Sequence, residues 1–330
     1  MQPRFVVVGQ GLAGSLLAWR LYQRGENFIV FDPDNSSAAS TVSSGIMNPI
    51  TGKRFLKTWL ADELFPLAKA TYCELEVALG TSFFRELPLL KIVEHIQEQN
   101  DLAALATEAS YTPFFTLRSF QKLDEEKVAN PHGCLAIGGC AKLDVAVFLK
   151  VFRSFLKEKK LLREEFFTVP MALDSSDKII YCDGAAAATS AHFFSYLPWL
   201  PAKGEYLLLH IPDFFPDYIV KGATTISPTA EKNIYYAGAT YEWNFPHANP
   251  TPEKRAEITQ AVSKMLSCNF EIAHHGAGIR PALQGRKPFV GIHPKYTHIF
   301  SLNGMGTKGV SLAPYFATKL TNLVTETKAT

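Results

Sequence analysis

Cysteine is scarce in this sequence, and its spacing excludes two common kinds of site. The 330 residues include five cysteines, an odd number, spread from Cys73 to Cys268 without a CxxC pair. Closely spaced thiols are the usual sign of a zinc site, and a dense, even set is the usual sign of a disulfide-stapled domain. We therefore expect no metal site, no disulfide framework and a reducing, cytoplasmic location.

The chain also lacks long apolar runs and an excess of charge of either sign. No uninterrupted apolar stretch reaches the roughly 18–20 residues that a membrane-spanning helix needs. The 33 Lys and Arg residues nearly balance the 31 Asp and Glu residues, for a formal net charge of +2. We expect no membrane partner, and nucleic acid is disfavoured as a partner because no bulk positive charge attracts it.

What the sequence does contain is a clear pattern near its start. The apolar run Phe5–Val8 leads into Gly9, Gly11 and Gly14, then into an apolar helical stretch, and a second apolar run ends at Asp32. The order strand, glycine turn, helix, strand, carboxylate is typical of a dinucleotide-binding unit. The chain has 330 residues, of which 47% are hydrophobic, so it can bury a substantial core and is long enough for a second domain.

Each part of this pattern meets a need of a bound dinucleotide. Gly9 permits a tight turn, Gly11 lets the backbone approach a pyrophosphate, and Gly14 lets helix and strand pack closely. The helix N-terminus offers N–H groups and partial positive charge to the phosphates. Asp32 can accept hydrogen bonds from an adenosine ribose, which argues against a 2′-phosphate and hence against NADP. This element alone does not distinguish NAD from FAD.

Further motifs follow in a fixed order along the chain. They are Ser43-Ser44-Gly45, Gly138-Gly139 ahead of Leu143-Asp144, Tyr181-Cys182-Asp183-Gly184, Gly204-Glu205-Tyr206, Gly238-Ala239-Thr240-Tyr241-Glu242, Gly278-Ile279-Arg280-Pro281 ahead of Pro288-Phe289-Val290-Gly291, and Asn303-Gly304-Met305-Gly306 ahead of Gly309-Val310-Ser311-Leu312-Ala313-Pro314. Over nearly the whole chain this order resembles the D-amino-acid oxidase/glycine oxidase family of FAD-dependent amine oxidoreductases. The resemblance indicates FAD rather than NAD.

The resemblance also implies an architecture of the α/β (α+β) class. It predicts a Rossmann-like, glutathione-reductase-type FAD-binding domain formed by residues 1–80, 135–195 and 272–330. An inserted substrate-binding domain with an antiparallel sheet would comprise residues 81–134 and 196–271. Helical patterns are expected near residues 59–80, 97–109, 145–160 and 252–266, with Asp144 as the N-cap of the third. Because no cysteine follows Cys268, a C-terminal cysteinyl link is absent and non-covalent FAD is expected.

The resemblance assigns roles to individual residues. Arg280 would hold a substrate carboxylate with its planar fork, although a structural arginine paired with a nearby acid is the alternative. Lys308 would face the flavin, or simply be solvated, and Tyr241 would line the substrate side, or simply pack in a core. The residues expected to contact FAD are Gly9, Gly11, Leu12, Ala13, Gly14, Asp32, Ser43, Ser44, Gly45, Gly184, Gly304, Met305, Gly306, Thr307, Lys308 and Gly309.

The implied reaction is oxidation of the C–N bond of a small amino acid or secondary amine. A hydride would pass to the flavin, and dioxygen or another acceptor would reoxidise it. Because the cofactor carries this chemistry, no acid–base triad is required. Two alternatives stay open: an oxidase that acts on a carboxymethylaminomethyl group of a tRNA wobble uridine, and a flavoprotein without catalytic turnover.

Overall fold

The computed structural model describes residues 4–34, 38–52, 54–121, 123–168, 177–189, 192–212, 214 and 217–326. Its helices are α1 (Leu12–Gln23), α2 (Ala61–Leu79), α3 (Ile96–Ala106), α4 (Val145–Glu158), α5 (Pro252–Met265) and α6 (Gly309–Glu326), with a 3₁₀ turn at Gly184–Ala188. Its strands are β1 (Phe5–Val8), β2 (Phe28–Phe31), β3 (Ile46–Met47), β4 (Ile50–Thr51), β5 (Leu56–Lys57), β6 (Phe84–Glu86), β7 (Leu89–Ile92), β8 (Phe115–Gln121), β9 (Cys134–Ile137), β10 (Ala141–Leu143), β11 (Leu162–Arg163), β12 (Lys178–Tyr181), β13 (Ala202–His210), β14 (Ile219–Lys221), β15 (Thr225–Pro228), β16 (Ile234–Gly238), β17 (Glu271–Arg280), β18 (Phe289–Ile292) and β19 (Ile299–Asn303). None of the described helices is long and apolar enough to cross a membrane.

A mostly parallel sheet forms one layer of the molecule. Its strand order is β11–β2–β1–β12–β19–β18, and neighbouring strands are parallel except β18 with β19. Strands β1 and β2 are short apolar runs, as expected for parallel strands covered on both faces. Helices α1, α2, α4 and α6 contribute to a core cluster that includes Leu17, Tyr72, Phe148 and Leu320. This sheet brings the carboxyl ends of β1, β12 and β19 side by side.

A larger sheet forms a second layer. Its order is β17–β13–β16–β15–β14–β7–β9–β8, with antiparallel neighbours except β7 and β14. Helix α5 covers one face, where Ile258 and Val262 pack with Leu207 and Leu209 of β13. Because side chains alternate along a strand, Gly204 and Tyr206 of β13 lie on the other face. A small antiparallel sheet, β3–β10–β6, completes the frame of the site.

The helices begin and end where their local chemistry allows. Asp144 precedes α4, and its carboxylate accepts the backbone N–H of Val147 at 3.1 Å, as predicted. Helix α2 ends at Gly80, whose φ of +64° is in the left-handed region that favours glycine. All four predicted helices are present, as α2, α3, α4 and α5. The predicted α/β fold class, with a parallel and an antiparallel sheet, is confirmed.

Two strands cross the predicted division of the chain. Strand β9 belongs to the larger sheet, although the prediction assigned residues from 135 onward to the FAD-binding domain. Strand β17 also belongs to the larger sheet over its whole length, because it pairs with β13 from residue 271 to residue 280. We therefore propose the same order of segments with limits moved to the ends of these strands, near residues 138 and 281.

Candidate functional site

The glycine turn lies at the carboxyl end of β1 and is packed too tightly for any larger residue at two positions. Gly9 has a φ of +99°, and a Cβ on it would lie 2.7 Å from the carbonyl oxygen of Cys182. A Cβ on Gly14 would lie 1.9 Å from the carbonyl oxygen of Gly9. These contacts draw α1 against the ends of β1 and β12, so the helix N-terminus points at the carboxyl edge of the sheet, where α/β folds bind ligands.

The first residues of α1 face the small-residue segment that follows β2. Leu12 and Ala13 open the helix, and the backbone N–H of Leu12 donates to Ser40 Oγ at 3.2 Å. A Cβ on Gly11 would lie 3.3 Å from the same oxygen. The fingerprint glycines and the segment from residue 38 to residue 45 therefore form one wall of the candidate cofactor site. Residues 35–37, which precede this segment, lie outside the described residues.

Asp32 follows β2 and faces a cavity of about 160 Å³. Gly11, Thr41, Lys150 and Arg153 also line this cavity. Arg153 Nη1 lies 2.9 Å from Asp32 Oδ1, an ion pair in which both side chains are largely buried. The predicted ribose-binding carboxylate is thus present beside a cavity, but in contact with a cation that the sequence reading did not single out.

The Ser43–Gly45 turn joins this wall to the small sheet and to the larger sheet. Gly45 has a φ of +70°, and a Cβ on it would lie 1.8 Å from the carbonyl oxygen of Leu143 in β10. The carbonyl oxygen of Ser44 accepts a hydrogen bond from Lys142 Nζ at 2.6 Å, and the same ammonium lies 3.3 Å from Ser227 Oγ in β15. Lys142 is buried and has no carboxylate within ion-pair distance in the described part of the chain.

The closing glycine loop, Gly304–Gly309, follows β19 at the same edge of the parallel sheet. Asn303 Nδ2 donates to the carbonyl oxygen of Gly184 at 3.0 Å, and Asn303 Oδ1 accepts the N–H of Gly304 at 2.8 Å. The N–H of Gly306 donates to the carbonyl oxygen of Pro281 at 2.9 Å. These bonds bring the predicted residues Gly184 and Gly304–Gly309 together with the Arg280-Pro281 element. Within the loop, Met305 is buried and Thr307 is exposed.

Lys308 lies just before α6 and is half-buried. Its Nζ is 3.4 Å from Thr58 Oγ1, a weak contact with a neutral partner. Burial, assisted by the positive charge of Arg286, lowers the pKa of Lys308. The lysine is therefore not simply solvated, and its ammonium is available to an anionic group near the closing loop.

Arg280, the last residue of β17, lies flat across the larger sheet. A Cβ on Gly204 of β13 would lie 2.1 Å from Arg280 Nη2, so only glycine leaves room for the guanidinium. Nη1 donates to the carbonyl oxygens of Thr240 at 3.1 Å and Lys203 at 3.4 Å. The ring of Tyr241 lies 5.1 Å from the guanidinium carbon, within cation–π range.

This arginine has no acidic partner in the described residues. Its Nε and Nη2 make no hydrogen bond there, and burial lowers its pKa because the charged form is desolvated. An arginine stays charged at neutral pH even so. Val42, from the small-residue segment, packs over β17 at the same place, because a Cβ on Gly278 would lie 2.3 Å from Val42 Cγ2. Two donor nitrogens of Arg280, Nε and Nη2, are thus unused, and the strand that carries this cation packs against the wall formed by the predicted cofactor-binding residues.

The aromatic residues beside Arg280 differ in exposure. Tyr206 and Tyr236 stack at 4.7 Å on the sheet face that carries Gly204, and both are buried. Tyr241, which lies after β16, is 40% exposed and packs edge-on against the exposed Trp243 at 4.8 Å. Tyr241, predicted to line the substrate side or to pack in a core, therefore lies next to Arg280 and outside the core.

Two buried cations at the candidate site, Arg153 and Lys142, are not among the residues predicted from the sequence. A signal for Arg153 exists: α4 buries Val145, Phe148, Leu149, Phe152 and Leu156, and residue 153 falls on the same helical stripe. A charged residue on a buried stripe needs partners or a function.

Among the described residues, no group of three His, Cys, Asp or Glu side chains is placed to hold a metal ion.

Replacing Lys142 with methionine is expected to stabilise the folded protein more at neutral pH than at high pH. Burial lowers the pKa of Lys142 from 10.5 to about 8, although Asp144 offsets part of this effect. The folded state thus disfavours the ammonium. This cost, about 3 kcal/mol, is fully present below pH 8 and disappears as the pH rises through 10.5.

Denaturant unfolding of both proteins at neutral pH and at pH 10.5 measures this effect. The stability advantage of Lys142→Met should shrink by about 3 kcal/mol between the two conditions. Lys150→Met is the matched control, because Lys150 is exposed and its ammonium stays in water on folding. A pH-independent difference between Lys142→Met and the wild type would contradict the expected burial cost.

Comparisons with known proteins cover the whole of this arrangement. The family model for FAD dependent oxidoreductases (DAO) matches residues 4–323. The chain is similar to glycine oxidase from Geobacillus kaustophilus, at 18% identity and a TM-score of 0.79, covering 99% of this chain and 95% of that chain. It is similar to iminodiacetate oxidase from Chelativorans sp. BNC1, at 18% identity, a TM-score of 0.81, and coverage of 99% and 96%. It is also similar to an FAD-bound L-α-glycerophosphate oxidase from Mycoplasma pneumoniae, at 17% identity, a TM-score of 0.70, and coverage of 98% and 95%. At these identities the likeness to solved structures shows a common fold.

Proposed function

The chain belongs to the DAO family of FAD-dependent oxidoreductases, and we propose that it oxidises the C–N bond of a small amino acid or secondary amine that carries a carboxylate. When bound, FAD accepts the hydride and passes the electrons to dioxygen or another acceptor, so the chain needs no acid–base triad. The amine becomes an imine, which water hydrolyses. The chain's own residues bind and orient the reactants.

The residues at the carboxyl edge of the parallel sheet fit the cofactor. Gly9 and Gly14 leave no room for a side chain, and the turn between them brings a helix N-terminus to the place where a pyrophosphate would be held. Asp32 would accept a hydrogen bond from the adenosine ribose. We propose that the reactive end of non-covalently bound FAD lies between the Ser43–Gly45 turn, the Gly304–Gly309 loop and Arg280.

One observation carries the choice of substrate: Arg280 is a half-buried cation with no acidic partner among the described residues and two unused donor groups. A guanidinium in this state favours a planar anion, because a bidentate carboxylate restores both the charge balance and the hydrogen bonds lost on burial. Glycine oxidase and iminodiacetate oxidase, two of the similar proteins, are named for substrates that combine an amine with a carboxylate. The alternative is a structural arginine paired with a nearby acid, and among the described residues no carboxylate lies within ion-pair distance of Arg280.

A flavin-reduction screen tests this proposal. Under anaerobic conditions, glycine, sarcosine, proline and D-alanine are each compared with the amine that lacks only the carboxylate: methylamine, dimethylamine, pyrrolidine and ethylamine. At least one amino acid should bleach the visible absorbance of the flavin, and its carboxylate-free counterpart should not. Equal bleaching by both members of a pair, or no bleaching by any amino acid, would contradict the proposed substrate class.

A further inference from the structure

Arg153 of α4 spends all of its donors on the chain itself. Its Nη1 donates to Asp32 Oδ1 at 2.9 Å and to Gln10 Oε1 at 3.0 Å. Its Nη2 donates to the carbonyl oxygen of Asp32 at 3.0 Å and to Glu164 Oε1 at 3.1 Å, and Nε donates to the same Glu164 oxygen at 3.3 Å. An arginine has five N–H donors. Every one of them is engaged, so Arg153 has none left for a ligand.

The carboxylate of Asp32 is also mostly engaged. Oδ1 accepts the Nη1 donor of Arg153 and the backbone N–H of Asp34 at 2.9 Å. Oδ2 accepts the backbone N–H of Gln10 at 2.7 Å. A carboxylate offers about four acceptor positions. Among the described residues, one position therefore remains, on Oδ2, beside the cavity of about 160 Å³ that Asp32 lines.

We propose that Arg153 is a positioning residue that orients Asp32 to accept one hydroxyl of the adenosine ribose of FAD, and not both. The inference rests on the cofactor placement proposed above. Arg153 fixes the rotamer of Asp32 through Oδ1, whereas the free position is on Oδ2, and its planar fork also binds the backbone carbonyl of Asp32 just after β2. Because the fork is saturated, it also offers no donor to a 2′-phosphate, which accords with FAD as the cofactor.

Two FAD analogues test the inference through binding, without reference to turnover. One carries 2′-deoxyadenosine and the other 3′-deoxyadenosine, and each competes with FAD for the purified holoenzyme, with bound nucleotide quantified after equilibration. The wild type should bind one analogue roughly 10- to 100-fold more weakly than FAD and the other about as well, because one charge-assisted hydrogen bond is lost in the first case only. In Arg153→Met, this difference between the analogues should disappear.

Two further variants make the result specific. Lys150→Met removes a second cation that lines the same cavity. Lys150 makes no hydrogen bond or ion pair with Asp32, so this variant should keep the wild-type difference in affinity between the two analogues. Arg153→Lys keeps the charge without the planar fork, so it should fold where the methionine variant does not, and should still reduce the difference.

Three outcomes would overturn the inference. Equal weakening of both analogues in the wild type would mean that Asp32 binds both hydroxyls. A wild-type difference that survives in both Arg153 variants would show that Arg153 does not orient the carboxylate, and would leave the cofactor placement intact. Full affinity for both analogues in the wild type would remove the ribose from Asp32, and the cofactor placement would fail together with the inference.

Discussion

Arg280→Met is expected to raise the KM for an amino-acid substrate about 100-fold or more, with FAD content unchanged. Removal of one partner of a desolvated, hydrogen-bonded charge pair costs about 2–5 kcal/mol, and each 1.4 kcal/mol corresponds to a factor of ten. Steady-state kinetics with whichever amino acid reduces the flavin measures the effect. The KM of Arg280→Lys should lie between those of the wild type and Arg280→Met, because a lysine keeps the charge but cannot bind a carboxylate with a planar fork. An unchanged KM in Arg280→Met would show that this arginine is structural.

Gly204→Ala tests the role of Arg280 without removing the charge of this arginine. The added Cβ would lie 2.1 Å from Nη2 and 2.3 Å from the guanidinium carbon, so the end of the Arg280 side chain must move. The displaced atoms belong to a flexible side chain, so we expect a small loss of stability and a large rise in KM. Gly291→Ala is the control, because the nearest atom to its Cβ would be 4.0 Å away. Wild-type kinetics in Gly204→Ala would contradict the carboxylate-binding role of the observed conformation.

Gly14→Ala is expected to destabilise the protein by about 1–3 kcal/mol or more and to abolish retention of FAD during purification. The reason is a clash between rigid parts: the Cβ would lie 1.9 Å from the carbonyl oxygen of Gly9, and neither α1 nor the end of β1 can yield without opening the turn. Helix propensity alone predicts the opposite sign, because alanine is about 1 kcal/mol better than glycine inside a helix. The sign of the change therefore separates the two effects.

Flavin content per protein and the denaturant midpoint measure the effect of Gly14→Ala. Gly291→Ala again serves as control, since it adds the same methyl group to a strand residue in an open place. A Gly14→Ala protein as stable and as yellow as the wild type would show that the turn can open, and would remove the close helix–strand contact from the account of cofactor binding.

Much of the fold could be predicted because its signals are local. The glycine turn, the N-cap at Asp144 and the αL glycine at residue 80 each act within a few residues of the element that they start or stop. The order of the motifs predicted the two kinds of sheet. The limits of the segments were less predictable, because the sheet that β9 and β17 join depends on partners far away in the sequence.

The candidate site shows the same division. Gly9, Gly14 and Asp32 could be identified because the dinucleotide fingerprint imposes residue types at fixed spacings. The roles of Lys142 and Arg153 could not be predicted, although the buried stripe of α4 includes Arg153, because these roles come from partners on other elements. Lys142 contacts a turn and a distant strand, and Arg153 contacts the end of β2. A sequence records that these residues are charged, but not what they face once buried.

By itself, the sequence determined the dinucleotide-binding pattern and the residue types at the turn, because steric limits at glycine and the polarity of a helix terminus act over short range. The FAD-dependent family was indicated by the resemblance in the order of the later motifs. Only the tertiary structure decided which charges are paired. Among the described residues, it left Arg280 without an acid within ion-pair distance. It gave Asp32 one guanidinium donor and two backbone N–H donors, which together fill all but one of the acceptor positions of the carboxylate. The physical reason is that burial and hydrogen-bond satisfaction are properties of the packed chain, which brings together groups that lie more than a hundred residues apart in the sequence.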